Sequence, residues 1–302
     1  MAAFDYDVII VGSGPAGLTA GSQLAQAGHP TLVVERDVYG GALQHIDRID
    51  DFDAYPEGIS GADLASHLLD RATGDGVTLD QADVTGVEVF SRSRWVACSD
   101  GRGFSCAVVL LCGGACFRSL GLPAEQRLRG RGIIDCTPCD AGFYRDKPVV
   151  VVGSDDYAVR DAAHLASMGA RVTLLSDADR LATERKLDDV DIRLGARVES
   201  IVGDERVERV TFNSGALQEV QEITAAGIAV RIGLEPNTDW LVDLFELDSE
   251  GRIPVDPRAD TELRFVLAAG DIRSGTSLTV QAAVADGRLA AARASELLGQ
   301  IG

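Results

Sequence analysis

Residues 135–146 read "DCTPCDAGFYRD", and the pair Cys136-x-x-Cys139 is where residue type and spacing point most directly to chemistry. Two thiols at this spacing close into a disulfide and open again by thiolate exchange. Thr137 is expected to cap a short helix with Pro138 at its first position, which places Cys139 and Asp140 in the first turn. Backbone N–H groups and the helix dipole favour a thiolate there. The six cysteines (98, 106, 112, 116, 136 and 139) also permit a zinc reading, because Cys112-x3-Cys116 precedes the pair at ribbon-like spacing. Against zinc, Cys112 ends the strand-like run "AVVLLCGG", where a thiol packs as a small apolar group. No metal site is expected.

A redox pair needs a frame and an electron partner. The opening "YDVIIVGSGPAGLTAGSQLAQAGHPTLVVERD" reads as strand, glycine turn, helix and strand, with Gly12, Gly14 and Gly17 completing G-x-G-x-x-G and Glu35 ending the second strand. In that context the turn brings backbone against a pyrophosphate at a helix N-terminus, and the acid accepts from ribose hydroxyls. Residues 77–106 alternate short β-rich runs with Ser, Asp and Gly, as a meander does, before "AVVLLCGGA" returns a buried strand. A second strand–turn–helix–strand unit starts at "PVVVVGSDDYAV". The chain closes with "FVLAAGDIRSG" and the helical "SLTVQAAVADGRLAAARASELL". The expected fold class is α/β, two Rossmann-like three-layer domains with the second inserted in the first. The dinucleotide domain is expected over 1–114 and 256–302, and the Cys-bearing domain over 115–255.

The 302 residues are 46% hydrophobic, enough for substantial cores, and carry a net charge of −19. Only two basic residues are lysines, Lys147 and Lys186, so neither nucleic acid nor an anionic membrane is an expected partner. No apolar run reaches bilayer-spanning length, and "MAAFDYDVIIVGSG" enters a strand without a charged leader. A cytoplasmic protein is expected.

Nearly the whole chain resembles the low-molecular-weight thioredoxin reductases and their flavin-dependent disulfide oxidoreductase relatives. The motifs that carry the resemblance are "VGSGPAG", "GGAL" at 40–43, "YPEGISG", "LGLPAE", "GRGIIDCTPCDAGFYRDK", "GLEPNT" and "AAGD" at 268–271. The resemblance implies FAD in the first domain. Its turn contributes Gly12, Gly14, Pro15, Ala16 and Gly17, and Glu35 and Arg36 stand at the end of the second strand. Gly40, Gly41, Leu43, Asp51, Val84 and Gly113 are implied further along, with Gly270, Thr279 and Val280 near the C-terminus and Asp271 on the ribityl chain. It also implies that Cys139 faces the flavin, Cys136 exchanges with substrate, Asp140 donates and accepts the proton, and the chain is a homodimer. Three positions depart from the family: its Asn falls on Asp51, and its Arg-Gln pair after "GD" falls on Leu278 and Thr279. Altered flavin electrostatics are the expected result.

The second turn departs further. Where the family has G-x-G-x-x-A, this chain has Gly153-Ser154-Asp155-Asp156-Tyr157-Ala158, so Asp155 replaces the glycine that lets backbone reach a pyrophosphate. At ~4 Å and an effective dielectric of ~20, a like-charge pair costs roughly 4 kcal/mol, about a thousandfold in affinity. The cations that grip a 2′-phosphate are replaced by Ser176, Asp177 and Ala178, with Arg180 nearby. The expected function is therefore thiol/disulfide exchange beside a flavin without NADPH, on a small-molecule dithiol or disulfide or on a thioredoxin-like protein. The partner for the electrons is oxygen, ferredoxin or another acceptor or donor. The alternatives are an NADPH-dependent thioredoxin reductase and a flavin-bound regulatory protein. His45, after "GGALQ", is a candidate proton shuttle or a packing residue.

Overall fold

The computed structural model describes residues 4–183, 187, 189–214 and 220–301. The chain divides into two compact units, Met1–Cys116 with Glu235–Gly302, and Phe117–Leu234. Residues 235–255, which the sequence pattern assigns to the inserted segment, lie with the first unit. Leu241, Phe245 and Ile253 are buried in its core beside Ile9, Val109 and Val266.

The first unit begins with β1 (Tyr6–Val11), α1 (Pro15–Gln26) and β2 (Thr31–Glu35). It continues through α2 (Gly61–Gly74), β3 (Thr78–Gln81), β4 (Val84–Val89), β5 (Arg94–Cys98) and β6 (Gly103–Leu111). Its parallel strands run in the order β3-β2-β1-β6, with Val266–Ala268 beside the carboxyl half of β6 and the antiparallel β4–β5 hairpin beside its amino half. Ile10 registers with Val33 on one side and Leu110 on the other. These central strands are unbroken apolar runs because both faces are covered. Leu18, Leu24 and Ala291 pack on one face; Val87, Val96 and Leu241 pack on the other.

The second unit holds α3 (Thr137–Asp140), β7 (Pro148–Val152), α4 (Asp156–Ser167), β8 (Arg171–Leu175) and β9 (Val190–Arg193). An antiparallel meander follows, β10 (Ala196–Val202), β11 (Arg209–Ser214) and β12 (Val220–Thr224), and then β13 (Gly227–Val230). The parallel order is β9-β8-β7-β13. Chain order therefore reverses between β7 and β13, and the crevice at their carboxyl ends is where such a sheet takes a ligand. Among the described residues, no helix is long and apolar enough to cross a membrane.

The closing helix, Val280–Gly299, lies along α1 at close range. A Cβ built on Gly287 would sit 2.3 Å from the backbone oxygen of Ala16, whereas one on Gly299 would meet nothing within 4 Å. Gly287→Ala is therefore expected to destabilise by about 1–3 kcal/mol through overpacking. Gly299→Ala in the same helix should be neutral or stabilising by up to about 1 kcal/mol. Urea midpoints of the two variants check the contrast.

Candidate active site

In the first unit, β1 ends at Val11 and Gly12 turns the chain at φ 104°; a Cβ built there would lie 2.3 Å from the Cys112 carbonyl oxygen. Gly14 then caps α1 with no side chain, Pro15 follows at the first helical position, and a Cβ on Gly14 would meet nothing within 4 Å. The first N–H groups of α1 are thus left for an outside acceptor. Ser13 is fully buried and donates to Glu35 Oε2 through both N (2.8 Å) and Oγ (2.7 Å), locking the acid at the end of β2 beside the turn. Gly40 N donates to Ser13 O at 3.1 Å, and a Cβ on Gly41 would lie 3.2 Å from Gly14 Cα, so this loop rests on the turn. Leu43 and Val84 are buried in apolar clusters, while Arg36 and Asp51 are exposed.

Gly270 and Asp271 follow the strand Val266–Ala268 in the same unit. Gly270 N and the Arg273 guanidinium both donate to the buried Asp286 of the closing helix, at 3.0 and 2.6 Å. Burial raises the Asp271 pKa above the ordinary carboxylate value, against the hydrogen bond from Thr276 Oγ1 at 3.4 Å and the nearby Arg252. The Arg252 side chain, almost fully buried, donates to Asp271 O. Thr279 Oγ1 accepts from Ala282 N at 3.2 Å and so caps the closing helix at Val280. Asn237 Nδ2 donates to Gly113 O at 2.7 Å, fixing the loop after β6. His45 is exposed at the end of the short turn Gly41–His45.

In the second unit Cys136 and Cys139 form a disulfide. Cys136 is half-buried and Cys139 exposed. The cap of α3 is Cys136 itself, whose Sγ accepts from Cys139 N at 3.3 Å; Thr137 and Pro138 occupy the first two helical positions. This corrects the expectation that Thr137 caps. The Thr137 hydroxyl turns inward instead, donating to Asp161 Oδ2 at 2.5 Å and accepting from Arg231 Nη2 at 3.0 Å. Asp140 N donates to Cys136 O at 3.1 Å. The other cysteines are not joined to this pair. Cys98, Cys106 and Cys112 are buried, burial pushes the Cys106 thiol up to about 12, and Cys112 is pushed up by burial as well.

The turn after β7 is the counterpart of the first, with a different cap. Asp155 caps α4, its Oδ1 accepting from Ala158 N at 3.0 Å. Burial raises the Asp155 pKa, opposed by the N–H groups of Ala158 and Tyr157. Ala182 N donates to Ser154 O at 2.7 Å, so the loop after β8 folds back onto the turn. Ser176 is fully buried, while Asp177 and Arg180 are exposed. Tyr157 packs edge-on against Phe117, ring centroids 5.5 Å apart.

Residues 6–287 match the model of the pyridine nucleotide-disulphide oxidoreductase family. The chain belongs to this family. It is 32% identical over 302 residues to the thioredoxin reductase of Treponema pallidum, covering 97% of each chain. The solved thioredoxin reductase of Lactococcus lactis matches with a TM-score of 0.90 at 30% identity, over 98% of this chain and 100% of that one. A ferredoxin-flavin thioredoxin reductase from Clostridium acetobutylicum matches with a TM-score of 0.54 at 27% identity, over 98% of each chain. The protein is a thioredoxin reductase-like, FAD-dependent disulfide oxidoreductase whose disulfide is Cys136–Cys139. The open cradle at Gly14 and the half-buried carboxylate of Asp271 fit the flavin that the family implies.

Four residues of this oxidoreductase were not found from its sequence: Asp286, Arg252, Asp161 and Arg231. The signal for Asp286 and Arg231 was a charge inside an apolar run, "AAVADGRLAA" and "GIAVRIG". Asp155 supplies a pH test. Its folded-state pKa is raised above the ordinary 3.8, so its contribution to stability is present below 3.8 and lost as pH rises through the folded value. Asp155→Asn, which keeps the capping oxygen and removes the charge, is expected to raise the thermal midpoint at neutral pH, with the gain vanishing below 3.8. Thermal melts across this range check the sign.

Proposed function

We propose that this enzyme exchanges dithiols and disulfides at Cys136–Cys139 without drawing electrons from NADPH. The observation that carries the reading is Asp155 Oδ1 on Ala158 N: the helix N-terminus that would hold a pyrophosphate is occupied by the chain's own carboxylate. The equivalent helix in the first unit has no side-chain cap and open space at Gly14. Two further features support it. The loop carrying Asp177 and Ala178 is drawn onto Ser154, and Arg231, whose N donates to Val152 O at the end of β7, is tied to Asp161 of α4 by a buried ion pair, Nε to Oδ2 at 2.6 Å.

The first unit holds FAD in this reading, through the turn Gly12–Gly17, Glu35, the Gly40–Gly41 loop and Asp271. Bound flavin supplies a two-electron couple to the pair. At the disulfide, a substrate thiolate attacks Cys136 Sγ, and the S–S bond breaks with its electron pair leaving on Cys139 Sγ. The second substrate thiolate then attacks its own sulfur in the mixed disulfide and releases Cys136 as a thiolate. Cys139 N, donating to Cys136 Sγ, favours that thiolate. Asp140, directly after the pair, carries the proton to and from Cys139. Two electrons and two protons pass from a dithiol to the enzyme, or back to a disulfide. The substrate is a small-molecule dithiol or a thioredoxin-like protein, and the other electron partner is oxygen or a redox protein.

The second reading is an NADPH-fed thioredoxin reductase, supported by the likeness to the thioredoxin reductase of Treponema pallidum; the likeness to the ferredoxin-flavin thioredoxin reductase of Clostridium acetobutylicum supports a ferredoxin-fed one. Anaerobic stopped-flow at the flavin band separates the readings. Dithiothreitol is expected to bleach the band readily, and NADPH and NADH at least about a hundredfold more slowly. Rapid bleaching by micromolar NADPH would restore the ordinary thioredoxin reductase. Asp155→Gly combined with Asp177→Arg and Ala178→Arg should recover part of the NADPH affinity, because it removes the repulsion and returns two cations.

A further inference from the structure

Arg231 stands one residue past β13, at the end of a strand otherwise made of apolar residues, and its side chain is 3% exposed. All of its donor nitrogens are engaged. Nε donates to Asp161 Oδ2 at 2.6 Å, and Nη1 to Val230 O at 2.8 Å and Ile134 O at 3.4 Å. Nη2 donates to Asp135 O at 3.1 Å and to Thr137 Oγ1 at 3.0 Å. The guanidinium lies over the Phe117 ring, 4.1 Å from its centroid. One side chain therefore grips the residue before Cys136 and the residue after it. Asp161 closes the arrangement by accepting from Thr137 Oγ1 with the same oxygen that receives Nε.

We propose that Arg231 is the positioning residue of the redox loop, holding Cys136 from both sides and so setting how far the Cys136–Cys139 pair lies toward the disulfide. An intramolecular disulfide is favoured by the effective concentration of one thiol at the other. The start of α3 joins the two cysteines locally, since Cys136 accepts from Cys139 N and Asp140 N, and Arg231 adds the anchors on either side of Cys136, at Asp135 O and Thr137 Oγ1, that tie this turn to the body of the unit. General stability does not account for such a residue: burying two charges at a site that an apolar side chain would fill is costly. Lysine would not replace it, since a single ammonium lacks the planar fork that reaches Asp161, Asp135 and Thr137 together.

The proposal does not depend on which donor feeds the enzyme, and NADPH reducing the flavin would leave it intact. The test uses full-length holoenzyme equilibrated anaerobically in graded reduced and oxidised dithiothreitol, with alkylation and mass spectrometry reporting the oxidised fraction of the Cys136–Cys139 pair. In the double variant Arg231→Met with Asp161→Leu, which leaves no buried charge behind, the equilibrium should move roughly tenfold toward the dithiol, a potential about 30 mV more oxidising. Arg231→Lys, which keeps the charge and loses the fork, should move it roughly threefold the same way, and it decides the matter if the apolar pair fails to fold. A potential within experimental error of the parent in the folded variants, or a shift toward the disulfide, would overturn the proposal.

Discussion

The demand that organises both units is the unsatisfied N–H groups at the start of the helix that follows each unit's first Rossmann strand. Those donors need an acceptor from solvent, side chain or ligand. In the first unit Gly14 has no side chain to offer and the space in front of α1 stays open. In the second, Asp155 turns its own carboxylate back onto Ala158 N. One topology thus meets one electrostatic requirement in two ways, with an uncapped, open helix start in the first unit and a carboxylate-capped one in the second. Around that cap the loop after β8 settles on Ser154, and Arg231, beside the end of β7, pairs with Asp161 of α4.

How much of this was legible in the sequence follows from the range of each interaction. The glycine turn and Glu35, the Cys136–Cys139 pair and the anomaly at Asp155 are written within short windows, where spacing and backbone geometry determine each other. The cap of α3 was misassigned within such a window because Thr137 is ordinarily a better cap than cysteine; a contact with Asp161, 24 residues away, claims its hydroxyl instead. The second boundary lay too late for a similar reason. The 235–255 segment has apolar residues at suitable spacing, but nothing local says which sheet Leu241, Phe245 and Ile253 will cover.

Buried arginines mark the long-range part that the sequence hides. Arg94, Arg231 and Arg252 are each nearly inaccessible in a chain of net charge −19, and each donates to backbone carbonyls: Arg94 to Arg264 O, Arg252 to Asp271 O, Arg231 to Ile134, Asp135 and Val230. A planar guanidinium with five donors suits this use, since it joins segments that share no ladder of hydrogen bonds. Two of the three hold site-bearing backbone, the Asp271 turn and the Cys136 loop.

The three clamps differ in how their charge is balanced, and the difference tracks what each holds. Among the described residues, Arg94 has no carboxylate within ion-pair distance and leans on the Phe265 ring at 4.6 Å; its desolvation lowers its pKa. Arg252 meets Glu250, whose side chain is 70% exposed, so that pairing is largely screened by water. Of the three, only Arg231 makes an ion pair with a carboxylate that is itself shielded, the Asp161 side chain at 15% exposure, with an aromatic face beneath it. A shielded pair with several fixed hydrogen bonds is costly to form and stiff once formed. Stiffness of that kind has little value in a loop that only links two strands. It has value where two sulfurs must return to bonding distance in every cycle, which is the segment that Arg231 holds.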